Sequence, residues 1–309
     1  PAGAVTAAVV ATPTPTHGAA ARDAMGRGLH VLVEKPLALT ATEASELVAL
    51  AEAKRVVLLT NHIVLHDAHF LAFLASLRAG AIGTLRYLSA TRLNFGTARS
   101  SESALWSLAP HDISMALAAI RAASPSCLRR RRPAAPLPAL AVAAASGSDV
   151  LGFGHADLAS VTLRHRGGVG CGGEGCGACG GLSGGGRVEE VRVDLRVGWL
   201  HPHKERKFVA VGTSGMVVYD DSRAGREKVM LVRYLAEEPA AGGGGGAEGP
   251  VGLRKVEEAA IGAEGDAEPL REVLRCFAAA VAARERGGAG KEAEEAEGEE
   301  GEEEARARG

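Results

Sequence analysis

The sequence predicts an α/β chain in two parts, a partial doubly wound domain followed by an α+β domain with a large, mostly antiparallel sheet. The first part is indicated by short runs that are apolar on both faces and alternate with helical stretches, as in buried parallel sheets. The second part is indicated by a longer series of segments in which apolar and polar residues alternate, as in antiparallel strands with one exposed face.

The first part shows the order strand, helix, strand, helix, strand. Val5–Ala11, His30–Glu34 and Val56–Thr60 are the predicted strands. Gly28 closes the first helix, and the second helix begins at the capping-box pattern Thr40-Ala41-Thr42-Glu43, which apolar residues follow at helical spacing. This order is typical of the second half of a doubly wound domain.

The second part begins with a predicted helix over His66–Leu77. A further helix is predicted to start at Pro110, because proline pre-sets the backbone of a first helical turn, and His111 and Asp112 would lie in that turn. A final helix is predicted for Pro269–Arg284, with its apolar residues on one side. The predicted strands of the sheet are Thr84–Asn94, Ala139–Ala145, Ala156–Arg164, Val188–Trp199, Lys207–Gly212, Met216–Tyr219 and Val229–Leu235.

Composition limits the classes of function. The chain has 309 residues, 46% of them hydrophobic, which is enough for two domains with buried cores. A net charge of −2 argues against a nucleic-acid partner, and the lack of long apolar runs argues against a membrane partner. Five cysteines, an odd number, do not suggest a secreted disulfide framework, so we expect an intracellular compartment, cytoplasmic or organellar.

Three blocks of sequence carry a family resemblance. They are VVATPTPTH at Val9–His17, VLVEKPL at Val31–Leu37 and WSLAPHDIS at Trp106–Ser114. In this order the blocks resemble the Gfo/Idh/MocA family of NAD(P)-dependent oxidoreductases, especially the branch that acts on sugars and nucleotide sugars. The resemblance implies NAD or NADP as cofactor and a sugar or nucleotide sugar as substrate. It also implies a homo-oligomer assembled through the open face of the sheet.

The resemblance divides the chain into three parts. Residues 1–64 are expected to be the C-terminal half of a dinucleotide-binding Rossmann domain, residues 65–285 an α+β substrate domain, and residues 286–309 a disordered acidic tail. Runs rich in glycine, alanine or proline indicate low-complexity insertions in the substrate domain. These insertions lie near residues 124–138, 166–187 and 237–250.

Lys35 and His111 are the catalytic residues that the resemblance implies. Oxidation of a secondary alcohol needs a nicotinamide to take the hydride and a protein base to take the hydroxyl proton. Lys35 would hydrogen-bond the reacting hydroxyl and the nicotinamide ribose, and His111 would accept the proton. The alternatives are a solvated lysine after a strand and an ordinary histidine in the first turn of a helix.

The turns after the first two strands are the cofactor-binding candidates. They resemble the family segments that line the nicotinamide side of the cofactor, although a rigid proline-rich turn without ligand contacts is the alternative for the first of them. The candidate residues are Thr12, Pro13, Thr14, His17, Glu34, Lys35 and Pro36.

The substrate-binding candidates follow from the same resemblance. Ser107 stands where the family often has an aspartate, four residues before the histidine, so a hydroxyl replaces a charged hydrogen-bond acceptor. Each of the others has a surface position or sheet packing as its alternative. The candidates are His62, Arg92, Asn94, Ser107, Trp199 and Lys204.

One feature of a complete Rossmann domain is absent from the sequence, namely the glycine-rich turn that leads into the helix holding the pyrophosphate. We therefore expect that about 60 to 70 residues, three βα units, are missing before Pro1. We also expect that this chain alone binds neither NAD nor NADP. Two functions remain open: a sugar dehydrogenase, or an inactive or truncated family member that acts as a non-enzymatic interaction protein.

We expect no metal site. His62, His66 and His69 have a spacing that suits zinc on a helix, but His62 ends a strand and no carboxylate or thiol partner is evident. A C-x4-C-x2-C pattern has the spacing of three iron–sulfur ligands, but its glycine-rich surroundings favour a low-complexity insertion. Its cysteines are Cys171, Cys176 and Cys179.

Overall fold

The computed structural model describes residues 5–100, 102–124, 139–166, 190–237, 252–265 and 268–286. The chain divides into two compact units. We call Pro1–Ile63 with Glu268–Gly309 the parallel unit, and Val64–Ala267 the antiparallel unit. The expected insertions and acidic tail lie almost entirely outside the described residues, and the three-cysteine loop lies wholly outside them.

Eleven strands and five helices make up the described part of the chain, with three short 3-10 helices. In chain order they are β1 (Ala7–Val10), a 3-10 helix (Thr14–Thr16), α1 (His17–Gly26), β2 (His30–Glu34), α2 (Ala41–Ala53), β3 (Leu58–Asn61), a 3-10 helix (Ile63–His66), α3 (Ala68–Arg78), β4 (Leu85–Phe95), α4 (Ala104–Ala123), β5 (Ala141–Ser148), β6 (Leu158–Arg166), β7 (Glu190–Gly198), β8 (Leu200–Gly212), β9 (Gly215–Asp220), a 3-10 helix (Gly225–Lys228), β10 (Val229–Glu237), β11 (Gly252–Ala260) and α5, residues 269–286.

The parallel unit is built on a sheet in the order β1-β2-β3, with all strands parallel. Val31 and Val33 of β2 pack in one buried cluster with residues of α1 and α2. Leu32 points to the other face, where it packs against Val273 and Phe277 of α5. Because successive strand residues face opposite sides, the part of a strand that is covered on both faces has to be apolar, as the central residues Val31, Leu32 and Val33 of β2 are.

Helix α2 begins as the capping-box pattern predicts. The Thr40 side chain accepts a hydrogen bond of 3.1 Å from the backbone N–H of Glu43. This bond satisfies one of the amides that have no partner within a first helical turn.

Helix α5 lies in a different unit from the one that the sequence analysis assigned to it. The analysis placed residues 269–284 in the substrate domain, whereas the structure groups them with the parallel unit. Val273, Phe277 and Val281 recur every four residues and form one apolar side, which packs on Leu32 of β2. Periodicity identifies such a side, but it does not identify the surface that covers it.

The antiparallel unit has an eight-stranded sheet in the order β11-β10-β9-β8-β4-β7-β6-β5. Strands β4 and β7 pair in parallel, and the other neighbouring pairs are antiparallel. The predicted α/β class, with a parallel sheet followed by a larger and mostly antiparallel one, is confirmed. Among the described helices, none is long and apolar enough to cross a membrane.

The core of the antiparallel unit lies between its sheet and helices α3 and α4. Phe70 and Phe73 of α3 are fully buried, and Phe73 and Phe208 of β8 meet edge to face with ring centroids 5.6 Å apart. Leu88 of β4 and Met115 of α4 belong to the same cluster. This core fixes the position of α4, which carries the WSLAPHDIS block.

Helix α4 begins earlier than predicted. It starts at Ala104, where the Ser103 side chain caps it by accepting from the Trp106 N–H at 3.3 Å, and Pro110 lies inside the helix. Proline lacks the N–H that would bond the carbonyl four residues earlier, so it is poor evidence for a helix start when a good cap precedes it. His111 and Asp112 therefore lie in the second and third turns.

Two strands differ from the expectation. Strand β8 begins at Leu200 and includes Pro202, which falls where the register with β4 shifts, a position that tolerates a missing N–H. Strand β11 was not predicted. It is an edge strand whose first seven residues are exposed, so its sequence GLRKVEEAA has no buried face to reveal it.

Strand β1 generates a prediction about self-association. Within the described residues it pairs only with β2, and Val9 is 61% exposed. An unpaired edge with an exposed apolar side chain favours pairing with another chain, which a charge discourages. We expect the purified chain to self-associate and the substitution Val9→Lys to reduce this, as measured by analytical ultracentrifugation.

Val48→Lys is the matched control for Val9→Lys. Val48 is 47% exposed on α2, which offers no unpaired strand edge, so we expect its substitution to leave association unchanged. A monodisperse wild-type monomer, or dispersal by Val48→Lys alone, would contradict the prediction.

Candidate active site

The carboxyl ends of the three parallel strands meet at one edge of the parallel unit. Glu34, the last residue of β2, lies in register beside Asn61, the last residue of β3. Asn61 Nδ2 donates to Glu34 Oε1 at 2.7 Å, and the backbone N–H of Lys35 donates to Glu34 Oε2 at 3.3 Å. Ligands of open α/β sheets bind at this edge, which makes it the candidate site of the parallel unit.

Asn61 presents a buried hydrogen-bond acceptor. A carboxylate only accepts hydrogen bonds, so Glu34 fixes the Asn61 amide with its Nδ2 toward β2. Asn61 Oδ1 then faces away from Glu34 and accepts no hydrogen bond from the described residues, although the residue is only 5% exposed. A buried polar atom of this kind marks a position where a donor group from outside the chain would be stabilised.

The turn after β2 carries Lys35. The Lys35–Pro36 peptide bond is cis, and Glu34, Lys35 and Pro36 are all partly exposed. Lys35 thus lies at the carboxyl end of the central strand of the sheet. The lysine is accessible, as its predicted role requires.

The turn after β1 lies beside that of β2. Thr12 and Pro13 are exposed, Thr14 is partly exposed, and the 3-10 helix that follows is closed by the Thr16 N–H donating to the Pro13 carbonyl at 2.9 Å. Thr16 Oγ1 lies 2.8 Å from Thr12 Oγ1. These bonds make the turn compact and leave its threonine and proline side chains accessible.

His17, predicted to be part of the turn that lines the nicotinamide side of the cofactor, is buried. It is 1% exposed, and its part in cofactor binding stays a prediction. Its Nδ1 lies 2.7 Å from the carbonyl oxygen of Pro36, and its Nε2 lies 2.8 Å from that of Thr12. Both ring nitrogens are therefore occupied by backbone carbonyls, and the ring lies beneath the two turns rather than on their surface.

The edge fits the nicotinamide riboside end of a dinucleotide. A carboxamide N–H or a ribose hydroxyl could donate to Asn61 Oδ1, and Lys35 supplies a cation with three donors. In the described part of the parallel unit, no glycine-rich turn between a strand and a helix is present to hold the pyrophosphate. The described residues of this edge thus suit the nicotinamide riboside end of the cofactor and not its pyrophosphate.

In the antiparallel unit, α4 carries two further predicted site residues. Ser107 and His111 are four residues apart, so they lie on the same face of the helix. Ser107 is 6% exposed, and His111 is partly exposed. A partly exposed histidine next to a buried hydroxyl can exchange a proton with a bound molecule.

A buried ion pair joins α4 to the sheet. The Arg92 guanidinium of β4 forms two parallel contacts with the Asp112 carboxylate, Nε to Oδ2 at 3.0 Å and Nη2 to Oδ1 at 2.8 Å. The side chains are 16% and 4% exposed. Burial opposes the charge of Arg92, but the carboxylate of Asp112 raises the pKa of the guanidinium above its usual value. Arg92, predicted to bind substrate, thus has an internal partner that fixes its position.

A small cavity of about 30 Å³ adjoins this pair. That volume suits one or two water molecules and is too small for a sugar ring. Burial raises the pKa of the Tyr219 hydroxyl at its wall, so this group is neutral at physiological pH. The lining residues are Val64, Arg92, Asp112, Met115, Arg206, Lys207, Phe208, Tyr219 and Asp221.

The remaining predicted residues are not gathered around this cavity. Trp199 is 3% exposed and packs in a cluster with Ala104 and Val197, which is the sheet-packing alternative for it. Lys204 is exposed on β8, and Asn94 and His62 are partly exposed after or near strand ends. For these residues, binding to a substrate stays a prediction.

The three histidines that suited zinc by spacing do not form a cluster of ligands. His69 is 1% exposed in α3, and its Nδ1 accepts a hydrogen bond from the Ala263 N–H at 3.1 Å. Among the described residues, no group of three histidine, cysteine or acidic side chains is arranged to hold a metal ion.

Two residues of the site escaped the sequence analysis. Asn61 directly follows the predicted strand Val56–Thr60. The signal that could have identified it is a polar residue at the end of an apolar run, the position that Glu34 has in the strand before. Asp112 was noted only as part of a motif. Its partner Arg92 lies 20 residues earlier on another element, so no local pattern connects them.

The first part of the chain matches a known family. The profile of the Gfo/Idh/MocA oxidoreductases, described as an oxidoreductase family with an NAD-binding Rossmann fold, matches residues 1–62. Over these residues the chain is similar to that family. The VLVEKPL and VVATPTPTH blocks lie within the matched residues, so the predicted resemblance is confirmed.

Two curated relatives are similar over part of this chain. UDP-N-acetylglucosamine 3-dehydrogenase of Acidithiobacillus ferrooxidans is 37% identical over 115 residues, which are 37% of this chain and 35% of that protein. The second is dTDP-3,4-didehydro-2,6-dideoxy-alpha-D-glucose 3-reductase of Streptomyces antibioticus, 43% identical over 86 residues, or 28% of this chain and 26% of that protein. The chain thus matches about a third or less of the length of these relatives.

A solved structure shares the fold over most of the chain. An inositol dehydrogenase homolog from Azotobacter vinelandii, solved as a complex with NAD+, superposes with a TM-score of 0.63 at 18% identity. The superposition covers 92% of this chain and 69% of that chain. At this identity the likeness establishes the fold.

The buried ion pair generates a prediction about stability. Arg92→Leu leaves the Asp112 carboxylate buried without its partner, so we expect the free energy of unfolding to fall by about 3 to 5 kcal/mol. The double variant Arg92→Leu/Asp112→Leu removes both charges and should recover part of this loss. Chemical denaturation measures both effects.

Arg99→Leu is the control for Arg92→Leu. Arg99 is paired with Glu102 on the surface, and the loss of this pair should change the free energy of unfolding by about 0.5 kcal/mol or less. Equal losses in Arg92→Leu and the double variant would contradict the account of an unpaired buried charge.

Asp220 generates a prediction about acid sensitivity. Burial alone would raise the pKa of its carboxyl, but hydrogen bonds from Ser222 and the charge of Lys207, 3.4 Å away, hold this pKa below its usual value. Stabilisation from such a carboxylate is complete above the unfolded-state pKa of about 4 and is lost as the pH falls through the lower folded-state pKa. We expect Asp220→Asn to lower the unfolding free energy at pH 7 and to flatten its dependence on pH below about 4.

The measurement is urea denaturation at a series of pH values. Asp23→Asn, at an exposed residue of α1, is the control and should leave the acid part of the profile unchanged. An unaltered acid profile in Asp220→Asn would show that this carboxylate contributes no acid sensitivity.

Proposed function

We propose that this protein is an NAD(P)-dependent oxidoreductase that transfers hydride from a secondary hydroxyl of a sugar or nucleotide sugar. The observation that carries the proposal is the position of Lys35 at the carboxyl end of β2, beside the turn of Thr12 and the Glu34–Asn61 pair. The similarity of residues 1–62 to the Gfo/Idh/MocA family and the nucleotide-sugar activities of the two curated relatives support it.

The proposed roles of the side chains follow from their chemistry. A bound NAD(P) would supply the hydride acceptor. Lys35, a cation with three donors, hydrogen-bonds the oxygen of the reacting hydroxyl and orients it. His111 accepts the hydroxyl proton through a ring nitrogen, as a general base does. Ser107, one turn earlier on α4, can hydrogen-bond the substrate but adds no negative charge to the site.

The residues of the edge also suit the binding of the cofactor's nicotinamide riboside. Asn61 Oδ1 is an acceptor whose orientation Glu34 fixes, and Thr12 offers an exposed hydroxyl. Donors on the carboxamide and the ribose would satisfy this buried acceptor, which otherwise costs folding free energy.

A non-enzymatic role is the rival function, since the sequence contains no glycine-rich pyrophosphate turn. Calorimetric titration of the protein with NAD and with NADP separates the two. Binding of either cofactor, followed by its reduction in the presence of nucleotide sugars, supports the oxidoreductase. Failure of the protein to bind either cofactor would leave the interaction protein.

Substitution of the proposed catalytic residues provides the main test. Lys35→Ala and His111→Ala should each lower kcat/KM on the order of 100-fold or more, since each removes a group that holds or moves the proton. Ser107→Asp should raise the rate by restoring a carboxylate next to His111. The measurement is cofactor reduction followed by absorbance.

Lys54→Ala is the matched control, because Lys54 is an exposed lysine of the same unit at the end of α2. Its rate should equal that of the wild type. If Lys35→Ala retained the wild-type rate in a folded protein, the mechanism proposed for Lys35 would be wrong.

A further inference from the structure

The backbone around Lys35 is held from both sides by side chains. On one side, the Lys35 N–H donates to Glu34 Oε2 at 3.3 Å. On the other side, the carbonyl oxygen of Pro36 lies 2.7 Å from His17 Nδ1. The residue that precedes Lys35 and the residue that follows it are thus both tied to fixed groups.

His17 connects two turns that the sheet itself does not hold together. The paired residues of β1 and β2 end at Val10 and Val33. Thr12 and Pro36 lie beyond this ladder, and the imidazole of His17 reaches the carbonyl oxygen of each, at 2.8 and 2.7 Å. One ring therefore fixes the distance between the turn of Thr12 and the turn of Lys35.

Histidine suits this task because its two nitrogens lie on different sides of a flat, rigid ring. A neutral ring donates from one nitrogen, and the imidazolium form donates from both. The amide of asparagine or glutamine has an oxygen, which only accepts, beside its NH2 group. It therefore cannot donate to both carbonyl oxygens from two sides, as the imidazolium ring can, and would hold one turn more firmly than the other. At 1% exposure the ring is also out of reach of a bound ligand.

We propose that His17 is a positioning residue for Lys35, a clasp that holds the Lys35–Pro36 turn against the Thr12 turn. The proposal rests on the proposed function for the role of Lys35, but the clasp itself does not. Without His17 the turn samples more conformations, and the ammonium group spends less time in the reactive geometry. Small displacements of a reacting group are costly, so we expect kcat to fall on the order of 10- to 100-fold with KM little changed.

A purely structural role for His17 is the rival explanation, and His30 is the control for it. His30 is 7% exposed, and its Nδ1 accepts from the Val57 N–H at 2.8 Å. His30 is the first residue of β2, whereas His17, a residue of α1, contacts the turn that follows β2. The two buried histidines thus support opposite ends of β2. Substitution of either should destabilise the parallel unit, but only His17 should alter the turn.

The first experiment measures amide hydrogen exchange by NMR in the 309-residue chain, comparing wild type, His17→Leu, His17→Gln and His30→Leu. We expect exchange at Lys35 and Leu37 to be at least 10-fold faster in His17→Leu, and intermediate in His17→Gln, which keeps one donor. His30→Leu should leave these two amides as in the wild type. Because His17→Gln retains polarity and similar length, it serves even where His17→Leu fails to fold.

Two results would overturn the clasp. One is unchanged exchange at Lys35 and Leu37 in a folded His17 variant. The other is equally faster exchange in His30→Leu, which would indicate general loosening of the sheet.

The second experiment measures kcat and KM of the same variants. A lower kcat in His17→Leu, partly restored in His17→Gln and unaffected by His30→Leu, supports the positioning role. A wild-type protein without activity would remove the proposed function, while the exchange experiment would still decide whether the clasp exists. Faster exchange with an unchanged kcat would overturn the link between the clasp and Lys35.

Discussion

The parallel register of β1, β2 and β3 is the constraint on which the candidate site depends. Because the three strands run in the same direction, the residues that follow them are brought to one edge although they are about 25 residues apart in sequence. Polar residues that follow apolar runs are thereby collected beside one another. Thr12, Glu34, Lys35 and Asn61 come together for this reason alone, and their side chains then supply the finer adjustment.

That adjustment is made by side chains that contact backbone rather than ligand. His17 holds two carbonyl oxygens, and Glu34 holds one backbone N–H and one amide. On the antiparallel unit, Arg92 and Asp112 have a comparable role, since their pairing fixes a turn of α4 against β4. A group that must meet a ligand in one geometry needs such support, because the exposed residue itself has few contacts to restrain it.

The sequence predicted the features that depend on local chemistry. The three parallel strands, the cap of α2 and the turn of Lys35 all follow from short patterns in which neighbouring residues determine the structure. The contacts of His17, Asn61 and Arg92 could not be predicted in the same way, because their partners are 5 to 27 residues distant and are brought near only by folding. For His17 the motif gave the correct neighbourhood but not the direction of the ring.

Burial explains the other differences. Strand β11 has exposed residues on both faces and therefore no alternation by which to recognise it. The start of α4 was placed too late because Pro110 gave a stronger signal than the Ser103 cap, although the cap decides where the helix begins. Trp199 was predicted to bind substrate because of the family resemblance. In the structure this large side chain instead fills the space between α4 and the sheet.

The Glu34–Asn61 pair gives the sheet edge a fixed polarity. A glutamine in place of Glu34 could donate as well as accept, and the asparagine amide would then be free to rotate by half a turn. The carboxylate removes that freedom, so the edge offers an oxygen and never an N–H at this point. Alcohols, amines and primary amides can satisfy that oxygen, whereas ethers, ketones and carboxylates cannot. Glu34 would not touch the ligand, since Asn61 lies between them. Through Asn61 it nevertheless selects molecules that carry a hydrogen-bond donor.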